Sequence, residues 1–96
     1  MASLKNPNAI EEEIGEIDHY YNHAHIAGAW IQKGSLHVGD QIHIKGHTTN
    51  FQERVLSLQM DHHNVQDAMP GMHVGFPVHE KVRPHDRIFV IHPLED

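Results

Sequence analysis

From Ile14 to His92 the chain is written in short apolar or alternating runs, separated at intervals near ten residues by glycine, proline, asparagine or aspartate. That rhythm predicts strands and turns. No apolar stripe of helical period competes with it. The runs are "IGEIDHYY", "AHIAGAWI", "QIHIKG", "FQERVLSLQM", "MHVGFPV" and "RIFVIH", which makes six strands. In "QIHIKG" the period of two sends Ile42 and Ile44 to one face and His43 and Lys45 to the other. In "MHVGFPV" it sends Met72, Val74, Phe76 and Val78 inward and His73, Gly75 and Pro77 outward. Val55 and Leu56 break the alternation of the fourth run, so a bulge is expected there.

The punctuation is as informative as the runs. Gly34 and Gly39 accept positive φ and turn the chain around Leu36 and Val38. Pro70-Gly71 suits the centre of a type II turn, and Gly28 inside a run marks a bulge or a close backbone approach. The predicted organisation is a flexible N-terminal tail over 1–13, one barrel domain over 14–92 and a short tail over 93–96. Within the first tail, Asn8 could cap a single helical turn with Glu11 three residues on.

Composition narrows the function classes. The 96 residues hold no cysteine, so neither disulfides nor a thiolate zinc cluster supports the fold. That absence favours a cytoplasmic, soluble protein, and no apolar run approaches membrane-span length. The formal charge of −6 opposes non-specific attraction to polyanions; no DNA or membrane partner is expected. Twelve histidines titrating near pH 6.5 would bring the chain close to neutrality, so minimum solubility is expected at about pH 6 to 6.5.

With so many histidines, candidate sites must be weighed one by one. His23 and His25 would share a face if they lay on a strand, and His43, His19 or Asp18 could complete a metal set for zinc, nickel or copper. Chance pairing of exposed imidazoles, with adventitious zinc or nickel binding, is the plainer reading; "DHH" at 61–63 is weaker still. In "GHTTNFQER", Thr48 and Thr49 could hold a phosphate or a partner backbone, Lys45 and Arg54 could add charge, and Phe51 could stack. The alternative is a corner whose threonines bond local backbone while Phe51 enters the core. Lys81, Arg83 and Arg87 form a second basic group around a turn. Ser35 or Ser57 with a histidine and an aspartate would spell a triad on paper, yet no nucleophile elbow or oxyanion hole is signalled. Trp30 and Tyr20-Tyr21 are expected to fill or rim the core.

Taken in order, "GSLHVGDQIHIKG", "VLSLQM", "VQDAMPGMHVGFPV" and "VRPHDRIFVI" resemble the second, β-barrel domain of translational GTPases such as elongation factor Tu. The matching positions are Gly34, Leu36, Val38, Gly39, Asp40, Ile42, Ile44, Gly46, Val55, Ser57, Ala68, Gly71, Val74, Gly75 and Asp86. "HYYNHAHIAGAW" and "GHTTNFQERVLSLQMDH" further resemble stand-alone proteins of the elongation factor Tu domain 2-like kind, whose relatives are also fused to collagenase-like peptidase-family proteins that act in RNA modification. Asn50 and His85 depart from that pattern, where Asp and Gly are expected. The resemblance implies a closed six-stranded antiparallel barrel. It also implies a non-catalytic module that contacts transfer RNA, ribosomal RNA, or a translation or RNA-modification protein. No GxxxxGK[ST] loop is present, so no GTP site is expected. The alternatives are a histidine-based metal-binding protein and an adaptor for a separately encoded peptidase-like enzyme.

Overall fold

The computed structural model describes residues 9–93. Ten strands make up all the regular structure in that span: β1 (Ala9–Tyr21), β2 (Ile26–Ile31), β3 (Leu36–His37), β4 (Gln41–Lys45), β5 (Asn50–Arg54), β6 (Leu58–Met60), β7 (His63–Val65), β8 (Asp67–Ala68), β9 (His73–Pro77) and β10 (Arg87–Pro93). Eight of them form one antiparallel sheet in the order β5-β4-β10-β1-β2-β9-β6-β7, and β3 pairs with β8 in a separate ribbon. No helix of the described residues is long and apolar enough to cross a membrane.

The all-β antiparallel expectation is met, but the six-stranded closed barrel is not what the ladder forms. The sheet has two free ends, β5 and β7. Past β5 the chain at Val55 bonds back to the residues before β4 and not to β7, from Val55 N to Asp40 O at 2.8 Å and from Gly39 N to Val55 O at 2.8 Å. The backbone N–H of His79 donates to Glu53 Oε1 at 2.9 Å and draws β5 towards the segment after β9. A coiled sheet thus encloses one core without a closing strand pair.

The same irregularity divides the fourth run. Val55 turns inward at 1% exposure and Leu56 outward at 72%, so the expected bent strand becomes β5 and β6. The stretch that leads to the Pro70-Gly71 turn contains β7 and β8. At its end Met72 N bonds Met69 O at 3.1 Å with Gly71 at φ +92°, as the Pro70-Gly71 turn requires.

Residues 9–13, expected in the N-terminal tail and partly in a helical turn, instead open β1 and pair with β10 from Ala9↔Pro93 to Glu13↔Phe89. Three acidic side chains suit this strand because the opposite elements supply an arginine and two imidazoles as partners. Arg87 binds Glu13, His92 Nε2 meets Glu12 at 2.8 Å, and His43 Nδ1 meets Glu11 at 3.0 Å. Asn8 lies outside the described residues.

The core joins Ile14, Ile17, Ile31, Leu36, Ile42, Ile44, Leu58, Val74, Phe76 and Ile88, all under 2% exposed, with Phe51 at its border. The inward positions expected from alternation in β4 and β9 are therefore the observed ones, Met72 being partly buried. Gly46 cannot carry a side chain: an added Cβ would lie 1.8 Å from Asp86 Oδ1. Asp86 is itself buried, and its Oδ2 accepts the Arg83 N–H at 2.9 Å, which fixes the turn before β10. His85 occupies the left-handed region there, at φ 78°.

Candidate functional site

Alternation along β2 puts Ala27, Ala29 and Ile31 in the core and leaves Gly28 and Trp30 on the outer face. β9 does the same with His73 and Gly75. The antiparallel register sets Gly28 opposite Gly75 and Trp30 opposite His73. A slip in the β1–β2 pairing between Ile17 and His19 brings Asp18 over the same face. There His73 Nε2 donates to the Asp18 carboxylate, 2.9 and 3.0 Å from its two oxygens. Trp30 packs on the His73 ring with centroids 4.8 Å apart.

The two glycines form the bare floor of a cleft of about 400 Å³ whose walls include Tyr21, Ile26, Gln59, Asp61, His62 and His73. The volume lies in the range of small-ligand sites. Trp30 is 47% exposed and Tyr21 50%. Of the expectation that they fill or rim the core, filling does not hold for either; the alternation of "IAGAWI", with Ala27 and Ala29 inward, is the signal that Trp30 faces out. The strand pairing that joins it to His73 and Asp18 had no signal in the sequence.

The corner expected to contact RNA or a partner is divided by the fold. Phe51 is buried and its ring meets the His79 ring edge-on, centroids 5.0 Å apart. Thr49 is buried and its carbonyl accepts the Gly46 N–H at 2.8 Å, while Thr48 is exposed. Lys45 pairs in register with Asn50, whereas Arg54 pairs with Gln41 at the other end of the hairpin, roughly 13 Å apart at strand rise. Lys45 Nζ is 3.9 Å from Glu11 and 4.7 Å from the Phe89 ring centroid. Arg54 donates to the Gly39 carbonyl at 2.6 Å. Both cations thus already have partners. Lys81 and Arg83 line a separate cleft with His19, Tyr20 and Pro84.

The metal alternative fares differently. His23 and His25 occupy the turn between β1 and β2, not a strand, with His25 at φ 57° and its Nδ1 3.1 Å from the Tyr20 hydroxyl. His43 lies on β4, buried between Glu11 and the side-chain oxygen of Asn50. The three do not converge, and no group of three metal-ligating side chains forms among the described residues.

A serine, histidine and aspartate do align. Ser35 Oγ is 2.9 Å from His37 Nε2, and His37 Nδ1 is 2.6 Å from Asp67 Oδ1. The hydrogen bond to Asp67 raises the His37 pKa above its ordinary value. The side chains of His37 and Asp67 are 45% and 57% exposed, and the trio lies outside the cleft over Gly28. His37 and Asp67 are directly opposed in the β3–β8 ribbon, so the contact reads as a clip that holds two short strands together.

No family profile matches the chain. It is 34% identical over 77 residues to a collagenase of Porphyromonas gingivalis, covering 79% of this chain and 21% of that protein. It is also 34% identical over 80 residues to an uncharacterized protease of Methanocaldococcus jannaschii, covering 82% of this chain and 19% of that protein. The chain therefore spans about a fifth of the length of the curated relatives it matches. Among solved structures, it is similar to the C-terminal domain of a Geobacillus thermoleovorans protein described as a U32 peptidase. The TM-score is 0.76 at 20% identity, over 82% of this chain and 91% of that one; its selenomethionine form gives 0.75 at 20% identity. At that identity the likeness is one of fold.

Proposed function

We propose that this chain is a non-catalytic docking module that associates with a peptidase-family protein of the kind its relatives represent. The observation that carries the reading is the alignment of about four-fifths of the chain with about a fifth of proteins named collagenase and protease. A segment that small in so large a protein suits an accessory domain, and the solved C-terminal domain with the same fold supports that placement. The outer face of β2 and β9 supplies the contact surface: Trp30 and Tyr21 are half exposed although the core could have used them. Exposed aromatics flanked by polar groups are favoured at interfaces.

The elongation-factor-like reading, in which the module contacts RNA through Lys45, Thr48, Thr49, Phe51 and Arg54, is the weaker one. Its two cations are engaged with Glu11 and the Gly39 carbonyl, and the net charge opposes a polyanion.

The test is a binding assay of tag-free protein against the peptidase-family protein of the same organism, with labelled transfer RNA in parallel at two salt concentrations. A saturable protein complex with little RNA binding is the expected result. Salt-sensitive RNA binding that falls when Lys45 and Arg54 are neutralised, with no protein complex, would overturn it.

A further inference from the structure

We infer that the cleft over Gly28 and Gly75 takes an arginine side chain presented by the protein partner. The inference rests on the docking function proposed above and names the chemistry that this surface selects. Three features of the cleft point the same way.

The first is shape. Gly28 and Gly75 face each other across β2 and β9 with no side chain above the sheet, so a flat group can lie against the backbone. The space beside Asp18 depends on this: a Cβ at Gly28 would stand 3.2 Å from Asp18 Oδ1 and 3.5 Å from His73 Cε1. Any larger side chain would cover the carboxylate.

The second is the aromatic wall. His73 and Tyr21 belong to the lining, and Trp30 packs against the His73 ring from beside the cleft. Planar guanidinium stacks on such faces and keeps its in-plane N–H groups free for hydrogen bonds, which an ammonium cannot do.

The third is charge. Among the described residues no lysine or arginine lines the cleft, whereas Asp61 belongs to its wall and Asp18 borders its floor. The Asp18 carboxylate is 40% exposed and His73 is its one protein hydrogen-bond partner among the described residues. Lone pairs remain for a bidentate donor. The chain's charge of −6 adds a long-range attraction for a basic segment. An anionic ligand would meet two carboxylates and, among the described residues, no lysine or arginine.

Trp30 is the single tryptophan and packs on His73 of the cleft wall, so its emission reports changes at that wall. The experiment titrates the full chain with three blocked tripeptides, Gly-Arg-Gly, Gly-Lys-Gly and Gly-citrulline-Gly, and follows Trp30 emission together with amide shifts of Gly28 and Gly75. The expected result is saturable binding of the arginine peptide, about tenfold tighter than lysine, with citrulline weaker still because it keeps the plane but loses the charge. Asp18→Asn should weaken the arginine peptide about tenfold, and Gly28→Val should abolish the shifts at Gly75. Equal responses to arginine and citrulline, or none to any peptide, would overturn the inference, and the wild-type comparison needs no variant to fold. If the peptidase-family protein binds while the arginine peptide does not, the arginine assignment fails and the docking function stands. If the peptide binds and that protein does not, the docking function fails and the arginine site stands.

Discussion

His43 on β4 donates through Nδ1 to Glu11 on β1, across the intervening strand β10, at 3.0 and 3.1 Å from the two carboxylate oxygens. Its Nε2 meets the Asn50 side-chain oxygen. The ring is 7% exposed, so both nitrogens depend on protein partners rather than water. His43→Ala should therefore cost about 1 to 3 kcal/mol, the usual penalty when buried polar partners lose their bond. Urea unfolding measures it; His43→Ala within 0.5 kcal/mol of wild type would show that the contact does not hold β1 to β4.

Gly46 and Asp86 make a sharper case. The 1.8 Å approach of a Cβ to Asp86 Oδ1 leaves no room unless Asp86 releases the Arg83 N–H. Gly46→Ala is expected to lower stability by about 2 to 4 kcal/mol, in the range of substitutions that strain a buried network. Thermal unfolding of Gly46→Ala beside Gly39→Ala separates space from backbone: nothing lies within 4 Å of a Cβ at Gly39, and its loss comes from its φ of +97° alone.

Val55 and Leu56 test the break between β5 and β6. Val55 is 1% exposed and Leu56 72%. Val55→Ala should cost about 1 to 3 kcal/mol, whereas Leu56→Ser should stay within about 0.5 kcal/mol. Equal losses at both positions, measured by chemical denaturation, would place the break elsewhere.

The pH dependence of stability follows from two groups with shifted pKa values. The hydrogen bond that His37 donates to Asp67 raises the His37 pKa above its ordinary value of 6.5. Its contribution is fully present below pH 6.5 and is lost as pH rises through the raised value. Glu16 is held below its ordinary 4.5, first by the His85 hydrogen bond and further by Arg87. That contribution is present above 4.5 and lost as pH falls through the lowered value. Both gains coexist between pH 4.5 and 6.5. The stability difference between wild type and Asp67→Asn should accordingly be greatest in mildly acidic buffer and shrink towards pH 8; a difference that grows towards pH 8 would contradict the assignment.

Much of this fold was legible because local chemistry and tertiary packing agree. Ile42 and Ile44, then Val74, Phe76 and Val78, point inward as a period of two demands, and Gly34, Gly39 and Gly71 stand at positive φ where turns were expected. Glu11, Glu12 and Glu13 read as a tail because their partners lie far along the chain: His43 is 32 residues from Glu11, and His92 is 80 from Glu12. Histidine is for the same reason the hardest residue here to interpret from sequence. His37, His73, His79, His85 and His92 each face a carboxylate, which makes them hydrogen-bond partners of an acidic β-sheet. The candidate site lay half in view. Gly28, Trp30, His73 and Gly75 are outward by parity, but only the β2–β9 register and the β1 slip assemble them around Asp18.

Sedimentation of an equimolar mixture of this protein and the peptidase-family protein of the same organism tests the docking account most directly. A complex that forms with wild type and weakens about tenfold or more with Trp30→Ala, as loss of an interface aromatic does, is the predicted result. No complex at micromolar concentration, or one that Trp30→Ala leaves unchanged, would contradict it.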